Sequence, residues 1–198
     1  WSLATTQAST IIERWLQCIE EDFSAYPLLD CLKSPFLEIS APESDFKHNI
    51  YRFEHDLIFH ENVSSNIADY KKKLRERLER LSHWPKNTYQ SLTETLDYIA
   101  DSAKPLAALH SRSRSIRLSD FLDELLNSLE RLGVLKNYKN DEAGLLLLQT
   151  FDSLKQSTTH SDPALNWQDC RQWLGMALES QHFTPSTSDS RVQLMTLE

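Results

Sequence analysis

Apolar residues recur every three or four positions through most of the chain, the spacing that puts them on one face of a helix. Ile12, Trp15, Leu16, Ile19 and Phe23 follow it, with Glu13, Arg14, Glu20 and Glu21 largely off that face, predicting a helix over about 3–23. Pro27 interrupts, and Leu28, Leu29 and Leu32 give a short helix over about 27–33 that Ser34-Pro35 stops. Phe46, Ile50, Phe53, Leu57 and Ile58 suggest a helix within about 40–62, after a turn or cap at Pro42, Ser44 and Asp45. Ile67, Leu74, Leu78 and Leu81, with Tyr70 beside them, stripe a helix over about 64–83. Tyr89, Leu92, Leu96 and Ile99 stripe another over about 88–103, opened by an Asn87/Gln90 capping box and ended or kinked by Pro105. Ser119 and Asp120 start a helix over about 119–133 whose C-cap is Gly133. Asp141 caps a helix over about 141–157, with Leu145 to Leu148 largely buried, and Asn166 caps a last one over about 167–181. Ser111–Arg117 and 157–165 read as exposed loops. The expectation is a mainly α fold of about seven or eight helices, with Leu125, Leu129, Phe151, Trp173 and Leu174 in its core and no sheet of three or more strands.

The period changes at the end. In Val192-Gln193-Leu194-Met195-Thr196-Leu197-Glu198, successive residues alternate between two faces that are both largely apolar, as in a strand inside a parallel sheet. Nothing else in the chain reads as its partner. We therefore expect a helical domain over 1–183 and, over 184–198, a linker and a strand cut from a missing parallel sheet. A first residue Trp1, not Met, fits a piece of a longer protein.

Composition narrows the picture. Only three glycines are present, too few for a turn-rich β protein. The net charge of −8 removes any global field attracting nucleic acid, so such a site must be local. Cys18, Cys31 and Cys170 are odd in number and widely spaced, which suits reduced thiols in a cytoplasmic protein. There is no apolar run of membrane-spanning length.

The candidate nucleic-acid contact is the helix over about 64–83. Lys71, Lys72, Lys73, Arg75, Arg77 and Arg80 stand there against only Glu76 and Glu79, a local excess of about four charges. A solvated face with Glu76–Arg80 support is the plainer reading. Consecutive cations step round the helix, so Lys71, Lys72, Lys73, Arg75 and Arg77 would form a broad ridge suited to phosphates. His48, His55 and His60 lack the one-turn spacing of helical metal ligands, so no metal site is assigned. Glycines at 133, 144 and 175 cannot make a phosphate loop, and no carboxylate cluster or nucleophile elbow is present. No catalytic residue is assigned.

Two stretches carry a family resemblance. Val192-Gln193-Leu194-Met195-Thr196-Leu197 resembles the start of the fifth motif of UvrD-type superfamily I helicases. Those helicases usually have His where Glu198 stands, a departure that looks more like AddB-like proteins and inactivated superfamily I helicases. Leu28-Leu29-Asp30-Cys31-Leu32-Lys33-Ser34-Pro35-Phe36-Leu37 resembles the element near the start of the accessory helical insertion in the same proteins, and Trp173-Leu174 … Leu178 … Phe183 the helix before the fifth motif. The resemblance loosely covers residues 28–198. It implies a helical accessory segment of a DNA repair protein that guides DNA or holds a helicase/nuclease partner subunit. ATP and Mg would then belong to the parent protein, whose ATP site lies elsewhere. The alternative is a free-standing helical interaction module whose terminal strand adds to a partner.

Overall fold

The computed structural model describes residues 1–38, 43–61, 63–78, 84–112 and 115–185. The apolar stripes become helices in the expected order. A 3-10 turn, Leu3–Thr5, precedes α1 (Gln7–Glu20) and α2 (Ala25–Leu32). Then come α3 (Glu43–Arg52), which runs directly into a π-helix (Phe53–Phe59), α4 (Ile67–Leu78) and α5 (Lys86–Arg112). The rest is β1 (Ile116–Arg117), α6 (Leu118–Arg131), α7 (Val134–Tyr138), α8 (Glu142–His160), β2 (Ala164–Leu165) and α9 (Trp167–Glu179). The fold is mainly α, and among the described residues its only sheet is the antiparallel pair β1–β2, with Ile116 opposite Leu165.

Local chemistry sets several of the ends. Thr6, Asp141 and Asn166 each accept a backbone N–H three residues on, from Ser9, Gly144 and Asp169. Gly133 follows α6 at φ 71°, where a side chain would be strained; a Cβ would also lie 2.2 Å from that of Glu38. Between the helices lies one continuous core, in which Trp15, Phe53, Tyr70, Phe121, Tyr138 and Phe151 are fully buried. The two ends of the described chain meet. Ser2 bridges His182, and Leu3 N–H donates to the Gln181 carbonyl at 2.9 Å. Arg171 on α9 pairs with both Glu13 and Glu20 on α1.

Several expectations are corrected. The first helix is two elements, because Thr6 is extended and caps α1. Pro27 does not interrupt; it lies in the first turn of α2, where no helical N–H is needed. Asn87 forms no capping box, since α5 begins one residue earlier and Gln90 instead donates to Glu94 at 2.8 Å. Pro105 does not end α5, which continues to Arg112. Ser119 does not cap α6. Its N–H and hydroxyl both donate to Asp162, at 2.9 and 2.6 Å, so the cap comes from the loop before β2. Leu145 is 45% exposed and Trp173 only half-buried, because α8 and α9 turn those positions toward the rim of the core. Residues 111–117 and 157–165 are not simply loops, since each contributes a strand residue pair to β1–β2 and 157–160 finish α8. The terminal strand 192–198, Leu81 and Arg80 lie outside the described residues.

Candidate nucleic-acid interface

α4 carries the cations because its opposite side is committed to the core. Tyr70 and Leu74, one turn apart, are 0% and 1% exposed, and Tyr70 meets Phe53 edge-on at 5.3 Å. The Tyr70 hydroxyl donates to the Phe23 carbonyl at 3.0 Å, and burial raises its pKa well above the usual phenol range. Asn66, at φ 74°, starts the helix by accepting the Ala68 N–H and reaches back to Asp22 through both its backbone and side-chain N–H, each at 2.8 Å. Asp22 and Phe23, themselves at φ 50° and 57°, form the turn between α1 and α2. Thus α4 is clamped at its N-terminal end onto the α1–α2 turn, and its polar face is held at a fixed angle.

The five cations read from the sequence do not share one fate. Lys71 reaches across to Asp97 on α5 at 2.5 Å, and Lys73 pairs with Glu76 at 3.0 Å. Both pairs are partly exposed, so each contributes at most about 1 kcal/mol to stability, but each removes a positive charge from the ridge. Lys72 and Arg75 are exposed, with no ion pair among the described residues. Arg77 is on α4, but its side chain lies outside the described residues. The ridge is therefore narrower than the sequence count suggests. It borders a shallow groove of about 310 Å³ in which Lys72 and Lys73 face Glu61 and Asp69, so acidic groups flank the cations.

The three histidines are spread along one segment, His48 on α3, His55 in the π-helix and His60 just after it. His48 lines a cavity of about 350 Å³ with Asp45, Arg52 and Asn87. His55 packs between two rings, tilted against Tyr51 at 4.5 Å and edge-on to Phe59 at 5.8 Å. Among the described residues no three His, Cys, Asp or Glu side chains converge as a metal site.

That ring cluster is a surface feature the sequence reading missed. Tyr51 is 58% and Phe59 53% exposed, and with His55 they form a ladder along the outer side of the α3–π segment. The rings stand four residues apart, so a helix of either kind keeps them on one side. The four-residue spacing of Tyr51, His55 and Phe59 is the signal that the sequence offers for it. Next to the ladder, Tyr51 also lines an apolar groove of about 670 Å³ with Leu32, Pro35, Leu37, Phe46 and Ile50. No protein-family model and no curated protein matches the chain.

Proposed function

We propose that this chain is a non-catalytic helical segment of a superfamily I helicase-like, AddB-like DNA repair or recombination protein, helping to guide DNA or to pack a partner subunit. The observation that carries this reading is α4, a helix locked to the core through Tyr70 and Leu74 that turns the exposed cations Lys72 and Arg75 outward in an otherwise acidic molecule. The order of the leucine helix with Ser34-Pro35 and the terminal Val192–Glu198 stretch supports it from the sequence. Such a surface neutralises backbone phosphates and reads no base. ATP and Mg would act in the motor lobes of the parent and not in this segment.

The test is fluorescence-anisotropy binding of single-stranded and duplex oligonucleotides at low salt, on the chain and on the longer parent. Lys72→Glu together with Arg75→Glu should weaken binding by about tenfold or more and lower the salt slope by roughly two. Unchanged affinity and slope would leave the ridge as a solvated face. A second reading, a free-standing interaction module, is favoured by the exposed Tyr51–His55–Phe59 ladder, since aromatic side chains are enriched where proteins meet. On that reading Tyr51→Ser plus Phe59→Ser leaves oligonucleotide binding unchanged and the α4 variant is silent.

A further inference from the structure

Two of the three cysteines lie against each other. Cys18 on α1 and Cys31 on α2 are 0% and 2% exposed, and their sulfurs stand 3.9 Å apart. The two helices pack together as a hairpin through the turn at Asp22 and Phe23, and α4 grips that turn through Asn66 and Tyr70. A disulfide has its sulfurs about 2.05 Å apart and needs the two Cβ atoms close. Bond formation requires side-chain rotation and a small helix shift to close the gap from 3.9 Å. Cys170, fully buried on α9, makes no hydrogen bond to either sulfur.

We propose that Cys18 and Cys31 form a thiol–disulfide modification site, oxidised by a small-molecule disulfide such as glutathione disulfide to a bridge that staples α1 to α2. One thiol loses its proton and attacks the glutathione disulfide, breaking its S–S bond and releasing one glutathione thiol. The second cysteine then loses its proton and attacks the resulting mixed disulfide, forming the Cys18–Cys31 bond and releasing the second glutathione thiol. Two cysteine thiols are oxidised, one glutathione disulfide is reduced, and the two protons end on the released thiols. The first step is slow in the folded chain. Neither sulfur meets solvent, and the hydrogen bond to Cys31 together with burial raises the Cys18 thiol far above its usual range. Exchange therefore runs through transient opening of the eight-residue α2. Once closed, the bridge shortens the unfolded ensemble's freedom over a loop of about a dozen residues and resists reduction until α2 opens again.

The experiment equilibrates the Cys170→Ser chain with glutathione disulfide, then alkylates free thiols under denaturing conditions before mass spectrometry. The expected result is a loss of about 2 Da, a peptide linking Cys18 to Cys31, and a thermal midpoint raised by roughly 5–10 °C that dithiothreitol reverses. Cys18→Ser and Cys31→Ser in the same background should each hold a mixed glutathione disulfide and show no such loss. Two alkylated thiols after full equilibration, a persistent glutathione adduct with both cysteines present, or a bridge that lowers the midpoint would each overturn the proposal.

Discussion

The Trp15 indole is held by one hydroxyl. Its Nε1–H donates to Ser128 Oγ at 2.8 Å, and that hydroxyl donates to the Ser102 carbonyl at 2.6 Å. All three residues are at most 2% exposed, so no water can replace a lost partner. Ser128→Ala leaves the indole N–H buried and unpaired, which costs about 1–3 kcal/mol. For a chain of this size the thermal midpoint should fall by roughly 3–10 °C. Calorimetry checks it, and a change under one degree would mean the indole finds another acceptor. Residue-scale chemistry of this kind was legible in the sequence only where it was local. The caps at Asp141 and Asn166 and the glycine at 133 act over three residues or fewer and could be read directly. Ser128 meets Trp15 across 113 residues, and Asp162 meets Ser119 across 43, with nothing in the sequence to pair them.

At the scale of the element, α5 keeps going through a proline. Pro105 has no N–H to give the carbonyl of Asp101 one turn back. Arg131 on α6 supplies a donor to that carbonyl at 3.4 Å, and the Tyr98 hydroxyl returns a bond to the Arg131 carbonyl at 2.9 Å. The α5–α6 seam thus satisfies a group that the helix itself leaves open, and here a sequence rule about breakers gave way to tertiary contacts. Restoring the N–H with Pro105→Ala should stabilise the chain by about 1 kcal/mol, below the roughly 3 kcal/mol of an unrelieved interior proline. It should also halve the cost of Arg131→Ala, which a double-mutant cycle measures. Equal costs in both backgrounds would show that Arg131 does not stand in for the missing donor. On α8 the Leu145 to Leu148 run reads as largely buried, but a helix can point only part of four consecutive residues inward, and Leu145 is left 45% exposed. In the candidate interface, the cation run of α4 was legible, but its partial neutralisation by Asp97 was not, because that carboxylate comes from another helix.

At the scale of the whole molecule, the ionisable groups define the pH range in which the fold holds. On the acid side, Glu21 is held below its ordinary range first by the Ser24 hydroxyl, and Asp162 first by the hydroxyl of Ser119. A carboxylate with a lowered folded pKa adds stability that is present above its unfolded value near 4 and is lost as pH falls through the folded value. Glu21 is exposed and Asp162 half-buried, so the acid limb should be gentle. On the alkaline side the Tyr138 phenol is 0% exposed and donates to the Ala8 carbonyl at 2.5 Å, and burial drives its pKa well up. A phenol with a raised folded pKa is protected in the native state, so its contribution is complete below the unfolded value near 10 and is lost as pH climbs through the folded one. Tyr70 and Tyr98 shift the same way, mainly by burial. The buried thiols of Cys18 and Cys170 are raised too, Cys18 first by its hydrogen bond to Cys31 and Cys170 first by burial. The wild-type midpoint should therefore be flat between about pH 5 and 8, begin to fall near the unfolded thiol value of about 8.5, and fall more steeply above roughly 10. In Tyr138→Phe the neutral-pH midpoint should drop by the equivalent of about 1 kcal/mol for the lost hydrogen bond. Its alkaline limb should be shallower, because phenylalanine has no proton for the unfolded chain to release. Thermal melts across pH 7–11 compare the two. An alkaline slope identical in both would mean that other groups, and not the buried Tyr138, open the fold in base.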